Sequence, residues 1–393
     1  MKVLVVSHMY PSTFNSMAGI FVHKQVKALI DKGCEVKVVS PVPYAPAFLG
    51  IIKPKWREYG KIPVHDNIEG VDVYYPRYID FPKSLFMGYS GHFMYQGMKK
   101  VIDDIYKDWK FDIIHSHVAL PDGFASTILN KTYGVPLVLT IHGQDLQVTV
   151  NKGSLCKKNV YRAMRDAYRV VVVSSKLKGM IEDKGLMEAS AIIHNGVELC
   201  EEHETSLNQN LDEKIRILSV SNLYKFKGID LNLHAVSRII KKYPNIEYRI
   251  IGDGPDKARL VELTESLGLK DCVEFLGRMS HENAMCHMAK CDIFCLPSYQ
   301  EGFGVAYLEA MSLGKPVIGV SGQGIQDAIV NGENGMLVKP QNIDDIVNAL
   351  EYLLSNPEKR YEMGQRARLD IINEWTWDKN ALKTLEVYKQ LLN

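Results

Sequence analysis

The chain has 393 residues, too many for one ordinary hydrophobic core and about right for two domains. With 46% hydrophobic and 24% charged residues, its composition excludes a disordered or fibrous chain. A formal net charge of +1 offers no concentrated cationic surface, so no nucleic-acid partner is expected. In chain order, short β-branched runs at Lys2–Val6, Val36–Ser40, Asp112–His117, Pro136–His142, Arg169–Ser175 and Ala191–His194 alternate with helix-like stretches such as Val22–Lys32 and Lys157–Ala167. That alternation predicts a parallel sheet covered on both faces. The polar segment Glu201–Glu213 reads as an exposed linker. The pattern restarts at Ile215–Ser221 and continues through Tyr248–Gly252, Val273–Gly277, Asp292–Pro297, Pro316–Val320 and Met336–Val338.

The expected organisation is therefore α/β: a Rossmann-like domain over 1–200, a linker over 201–213, a second Rossmann-like domain over 214–374 and a terminal segment over 375–393. Two doubly wound domains facing across a cleft would bind a ligand at the carboxyl ends of both sheets. Seven cysteines form no Cys-x-x-Cys pair and leave one over in any full disulfide scheme, which suits reduced thiols. Cys286, His287, Cys291 and Cys295 cluster in sequence, but the last two lie in or beside an apolar strand run, so packing rather than zinc is expected. Met1–Ser7 enters a strand pattern without a basic n-region or cleavage site, and no apolar stretch approaches the roughly 20 residues needed to cross a bilayer. A cytoplasmic location is expected, or attachment to a membrane surface at the inner face.

Neither half carries GxGxxG after its first strand, and GxxxxGK[ST] is absent, so dinucleotide dehydrogenases and P-loop enzymes lose their main fingerprints. The strongest local signal is the run Pro297-Ser298-Tyr299-Gln300-Glu301-Gly302-Phe303-Gly304-Val305-Ala306-Tyr307-Leu308-Glu309, continuing to Gly314-Lys315-Pro316-Val317. A strand end, a glycine-bearing loop and a helix capped at Gly314 are predicted, with Glu301 in the loop and Glu309 in the helix. Free backbone N–H groups around Phe303, Gly304 and Val305 would open that helix as a phosphate site, and Gly302 is a donor-binding candidate beside them.

This segment closely resembles the Glu-x7-Glu signature of family 4 (group 1) glycosyltransferases of the GT-B fold, and the resemblance covers nearly the whole chain. It implies that Glu301 contacts the donor sugar and Glu309 the ribose. Gly252-Asp253-Gly254-Pro255 is similar to the family's GDGP turn, and Phe275-Leu276-Gly277-Arg278-Met279 to the strand end that reads the nucleobase, making Arg278 and Met279 base-site candidates. Gly19 matches the glycine brought against the donor pyrophosphate. Thr140-Ile141-His142-Gly143-Gln144-Asp145 resembles the HGxD element, so His142 is the candidate beside the reacting sugar, while His115 and His117 read as structural strand-end residues. His194-Asn195-Gly196-Val197-Glu198 is similar to the turn out of the first domain, and Trp375-Thr376-Trp377 with Ala381–Leu392 to the helix that returns to it.

The resemblance also implies transfer with retention of anomeric configuration from a nucleoside-diphosphate sugar, without an enzyme nucleophile. Lys227 and the amides near Gly304 would stabilise the leaving diphosphate. His142, Glu301 and Lys227 are thus the residues expected to serve catalysis. The chain contains no Asp-x-Asp, and neither a metal nor another cofactor is expected. The sequence somewhat resembles transferases of teichuronic-acid and other surface-polysaccharide pathways, so the expected donor is a UDP-sugar and the acceptor a glycan or lipid-linked sugar. A phosphorylase, a nucleotide-sugar epimerase and a non-catalytic binding protein stay open as alternatives. Where the family commonly has Gly-Arg-Leu before Lys-Gly, this chain has Ser221-Asn222-Leu223, so Asn222 replaces a diphosphate cation. Leu85–Trp109, rich in Phe and Met before Lys99 and Lys100, reads first as an amphipathic helix packed on its domain and second as a peripheral membrane contact.

Overall fold

The computed structural model describes residues 1–44, 54–81, 86–199 and 214–392; the expected linker at 201–213, and Leu85, lie outside them. The chain divides into two compact units, one formed by Met1–Asn195 with Trp377–Asn393 and the other by Gly196–Thr376.

The first unit contains β1 (Lys2–Val6), β2 (Glu35–Val39), β3 (Val42–Pro43), β4 (His65–Ile68), β5 (Val71–Tyr74), β6 (Arg77–Tyr78), β7 (Ile113–His117), β8 (Leu137–Ile141), β9 (Arg169–Val172) and β10 (Ala191–Ile192). Eight of them form one sheet in the order β10-β9-β8-β7-β1-β2-β5-β4, and β3 pairs with β6. The large sheet is parallel except at its edge, where β4 runs antiparallel to β5. This hairpin was not expected from the sequence. Its edge strand, His65-Asp66-Asn67-Ile68, is mostly polar and never fully buried, so it lacks the apolar run that marks the central strands.

β7 and β8 are buried at every position and β1 at all but its first. Alternation along β1 sends Val3 and Val5 into one core and Leu4 and Val6 into another. The first core also receives Val22, Val26 and Leu29 from helix Ile20–Asp31, and Trp377, Ala381 and Tyr388 from helix Trp377–Leu392. The second receives Met94, Met98 and Ile102 from helix Ser90–Asp108. Each such buried side chain contributes roughly 1.5–3 kcal/mol relative to leaving it exposed. Helix Ser90–Asp108 is thus packed on its domain as expected, although Phe86 and Tyr89 just before it remain 53% and 51% exposed.

The second unit holds β11 (Ile215–Val220), β12 (Ile246–Ile251), β13 (Val273–Gly277), β14 (Ile293–Cys295), β15 (Val317–Val320) and β16 (Met336–Val338), matching the six expected runs. All neighbours are parallel, in the order β13-β12-β11-β14-β15-β16. This is a doubly wound sheet whose order reverses between β11 and β14, the place where such sheets bind ligands. A buried amide anchors the helix that follows β11, Ile229–Ile239: Asn232 Nδ2 donates to Cys295 O at 3.0 Å and to Tyr248 OH at 3.1 Å. Cys291 and Cys295 are buried in packing, Cys286 is exposed, and among the described residues no three His, Cys, Asp or Glu side chains gather as metal ligands would. No helix among the described residues is long and apolar enough to cross a membrane.

Candidate functional site

At the reversal point of the second sheet, the loops leaving β11 and β14 are stitched together. Tyr299 N donates to Phe226 O at 3.0 Å, and Ser298 Oγ reaches the same carbonyl at 3.3 Å. Lys227, in the turn Lys225–Lys227, is thereby held beside Glu301: its Nζ donates to Glu301 Oε2 at 2.6 Å, and the two side chains are 17% and 16% exposed. A pair this sheltered holds each charge firmly, and breaking it is costly. A third loop, after β15, completes the arrangement. Gln323 Oε1 accepts from Glu301 N at 3.0 Å, and a Cβ on Gly324 would fall 2.2 Å from Gly302 O. Phe303 is buried and stacks on Trp375 with ring centroids 5.9 Å apart, and Gly304 precedes helix Val305–Ser312. Trp377 joins a core, whereas Trp375, which backs this loop, is only half-buried.

Glu309 lies in the second turn of that helix, apart from the Lys227–Glu301 pair, and its Oε1 lies 2.7 Å from His281 Nε2. His281 begins helix His281–Ala289, which Ser280 caps by accepting from Asn283 N at 3.2 Å. Arg278, exposed, and Met279, half-buried, occupy the short link between β13 and that cap. Gly252 N donates to Gly277 O at 2.9 Å, and Asp253 O accepts from Leu223 N at 3.0 Å, so the Gly252–Pro255 turn sits against the loop bearing Asn222. Asn222 and Lys225 are both exposed; the inward position belongs to Lys227.

In the first unit, Gly19 and His142 come to one strand-end face. Gly19 adopts a left-handed φ of 59°, and a Cβ there would stand 2.1 Å from Met9 O, so only glycine fits between the loop after β1 and the helix Ile20–Asp31. Phe21, two residues on, places its ring 4.6 Å from the half-buried imidazole of His142. His142 Nε2 lies 2.9 Å from Nδ1 of His117, which ends β7 and stacks at 4.5 Å on His115. His115 is fixed at both nitrogens, by Tyr388 OH at 2.5 Å and Thr140 Oγ1 at 2.8 Å. Burial pushes His115 and His142 down to about 3 and His117 well below its ordinary value, so all three rings are neutral near neutral pH.

Sequence reasoning passed over several polar groups here. Asp122, fully buried, accepts from His8 N at 2.6 Å and pairs with His8 Nδ1. Burial would lower the pKa of His8, but the attraction of Asp122 outweighs it and raises the value. Asp145, also buried, is pushed up to about 7 by desolvation, although its Oδ1 accepts from Ala119 N at 2.9 Å and Leu120 N at 3.4 Å. His281 and Gln323 were missed in the second unit. Only Asp145 carried a signal, as the last residue of the HGxD-like run.

Two family models divide the chain between them. Residues 18–201 match the model described as Glycosyltransferase Family 4, and residues 201–370 the model described as Glycosyl transferases group 1. The chain belongs to the family 4, group 1 glycosyltransferases, with the two Rossmann-like domains of the GT-B fold. Among its relatives, the putative teichuronic acid biosynthesis glycosyltransferase TuaC of Bacillus subtilis is 26% identical, the match covering 89% of this chain and 88% of TuaC. Sucrose-phosphate synthase of Thermosynechococcus elongatus superposes with a TM-score of 0.81 over 100% of this chain and 99% of that one, at 19% identity. HepE of Anabaena, crystallised in complex with UDP-glucose, superposes with a TM-score of 0.71 over 100% of both chains, at 18% identity.

Proposed function

We propose that the enzyme transfers a sugar, with retention of anomeric configuration, from a UDP-sugar to a glycan or lipid-linked acceptor in surface-polysaccharide synthesis. The observation that carries this reading is the Lys227–Glu301 pair at the reversal point of the second sheet, next to the helix opening at Gly304. Breaking the anomeric bond builds charge on the leaving diphosphate. A lysine held in place and free amides at a helix start suit that charge without reorganisation, and they serve without a divalent metal. Glu301, anchored through Lys227 and Gln323, would meet the sugar hydroxyls, and Glu309 the ribose. Arg278 and Met279, just beyond β13, would border the base.

The UDP-glucose complex of HepE supports the choice of UDP, and the name of TuaC the choice of a surface glycan. The exposed aromatics Phe86 and Tyr89 support peripheral contact with the inner membrane face, where a cytoplasmic donor and a lipid-linked acceptor would meet. A nucleotide-sugar panel read by thermal shift tests the donor, since a ligand at 100 times its dissociation constant stabilises by about 2.7 kcal/mol. A UDP-sugar should give the largest shift, turnover should survive a chelator, and the product should keep the donor's anomeric configuration by NMR. A shift with another nucleotide alone overturns the donor assignment. An inverted product overturns retention, and free sugar phosphate or an isomerised nucleotide sugar overturns transfer itself.

A further inference from the structure

The near-neutral total of the chain conceals a local excess of positive charge. From Lys152 to Lys184 there are nine lysines and arginines against three acidic residues, in a chain with 47 basic and 46 acidic residues. The excess is concentrated on helix Ser154–Asp166 of the first unit. Its buried side carries Cys156, Val160, Ala163 and Met164, and its exposed side carries Lys157, Lys158, Arg162 and Arg165. Asp166, the one acid of the helix, is half-buried and accepts from Lys131 Nζ at 2.8 Å. Lys157 and Arg165 pair with Glu182 and Asp183 at 2.7 Å and 3.0 Å, beside an open groove of about 370 Å³ that Lys158 and Tyr161 also line. Solvent screens such exposed pairs, so their cations exchange readily to other anions.

The exposed rings of Phe86 and Tyr89 are fastened to the same helix. Gly88, between them, is buried: its carbonyl accepts from Asn159 Nδ2 at 2.7 Å, and a Cβ on it would fall 2.6 Å from Leu155 Cδ2. Lys158 and Arg162 each lie three residues beyond one of these anchors, hence beside them on the helix surface. The guanidinium of Arg162 stands 5.2 Å over the ring of Phe124, which packs at 4.8 Å on His92 just after Tyr89. Aromatics and cations therefore form one surface. It reaches the strand-end side of the sheet, because the helix follows β8 and returns to β9. Lys99 and Lys100, the other cations near the aromatics in sequence, lie in a balanced stretch where Lys99 pairs with Asp103 at 3.0 Å and Lys107 with Asp104 at 3.2 Å.

We propose that this face docks on an anionic lipid bilayer, with Phe86 and Tyr89 at the headgroup boundary and Lys157, Lys158, Arg162 and Arg165 against lipid phosphates. The inference rests on the reading of a lipid-linked acceptor. It adds what two exposed rings alone lack, a preference for charged lipid, and stable attachment to a membrane takes more than one weak contact. A bilayer held there lies beside the strand-end face of the first unit, where a sheet of this kind takes its ligand.

The test is co-sedimentation of the full chain with vesicles of phosphatidylcholine, alone or mixed with phosphatidylglycerol. The chain should sediment with the mixed vesicles at low salt, and should be released at high salt and from the neutral ones. Lys158→Gln combined with Arg162→Gln should weaken binding to the mixed vesicles about twentyfold, roughly fivefold for each charge removed. Phe86→Ser combined with Tyr89→Ser should weaken it about tenfold and keep the preference for charged lipid. Lys99→Gln combined with Lys100→Gln should change it little. All the substituted side chains are exposed, and unaltered thermal melting checks that each variant is folded. Equal binding to both vesicles, no binding to either, or a larger loss in the Lys99 and Lys100 variant than in the Lys158 and Arg162 variant overturns the proposal. So does tighter binding of a single-stranded oligonucleotide than of the mixed vesicles, which would assign the cations to nucleic acid. Sedimentation is read without nucleotide or acceptor. A chain that binds vesicles but transfers sugar only to soluble glycans would sink the lipid-linked acceptor and leave the docking face standing, whereas transfer to a lipid-linked acceptor without vesicle binding sinks this proposal alone.

Discussion

In the second unit, the loops at the strand ends meet through the Lys227–Glu301 ion pair and the contact of Glu309 with His281, and every one of those side chains keeps some solvent exposure. In the first unit, the loops after β1, β7 and β8 bury two carboxylates, Asp122 and Asp145, and the imidazoles of His115 and His117 almost completely. The difference suits what each face would have to do under the proposed function. Polar groups that meet a charged ligand must be strong, oriented and cheap to uncover, which favours sheltered pairs at a reversal point. Groups that orient a neutral sugar can be locked into the fold, and burial then removes their charge instead of preserving it. On this view, substitutions in the second unit should act mainly on donor handling, and those in the first on the pH dependence of stability.

The largest expected effect is at Lys227. Lys227→Ala removes the cation assigned to the diphosphate and takes its ion-pair partner from the sheltered Glu301 carboxylate. Turnover should fall at least tenfold, a loss of about 1.4 kcal/mol of transition-state stabilisation. Next come the two glutamates. Glu309→Ala should weaken UDP itself by several fold in calorimetry, whereas Glu301→Gln should bind UDP nearly as the wild type does and lose turnover with the full donor. Equal losses of UDP affinity in both variants would mean that the sugar and ribose roles are misassigned, and the separation between Lys227–Glu301 and Glu309–His281 would have no functional meaning.

The first unit offers a pH experiment of intermediate size. An aspartate ordinarily titrates near 3.9, and burial lifts Asp145 to about 7, so over that interval the folded state binds the extra proton and stability falls as pH rises. His8 acts in the same direction: its raised pKa contributes stability below about 6.5 that is lost as pH climbs through the higher folded value. His115, His117 and His142 oppose both. Their lowered values favour the folded state above about 6.5, and that contribution is lost on acidification, toward about 3 for His115 and His142 and well below 6.5 for His117. Asp145→Asn keeps an oxygen for Ala119 N and Leu120 N while removing the titration. Its Tm relative to wild type should therefore be higher at about pH 8 than at about pH 5. A difference independent of pH would show that Asp145 is not buried as described.

How far the sequence revealed this division depends on distance along the chain. The strand runs were legible because central parallel strands are apolar on both faces, and Glu301 and Glu309 because glycines punctuate the loop and helix that hold them. The partnership of Lys227 with Glu301 spans 74 residues, and that of His8 with Asp122 spans 114. Both arise from sheet order, which no local pattern encodes. The edge hairpin of β4 and β5 escaped for the opposite reason, since half-exposed polar strands leave no apolar run. His117 was visible as a strand-end histidine, but its contact with His142, 25 residues away, is a matter of packing.

The smallest predicted effect probes how finely the second unit's loop sorts its cations. Asn222 stands where an arginine is commonly found, and Lys225 follows it on the same loop, yet both are exposed while Lys227 turns toward Glu301. An exposed lysine is screened by solvent and adds little to a charge several ångströms away. Lys225→Ala should therefore change turnover measurably but far less than Lys227→Ala, within about threefold, or roughly 0.7 kcal/mol. Asn222→Arg should be tolerated, because its exposed position leaves room for the longer side chain. It should also tighten UDP modestly, since a hydrogen bond involving a charged group is worth about 1.5–3 kcal/mol against about 0.5–1.5 for a neutral one. Turnover and UDP affinity measured in the three variants, at low and high salt, rank the cations directly. If Lys225→Ala matches Lys227→Ala, then the loop rearranges around the donor to bring both lysines to the diphosphate, and the ion pair with Glu301 gives way when the donor binds.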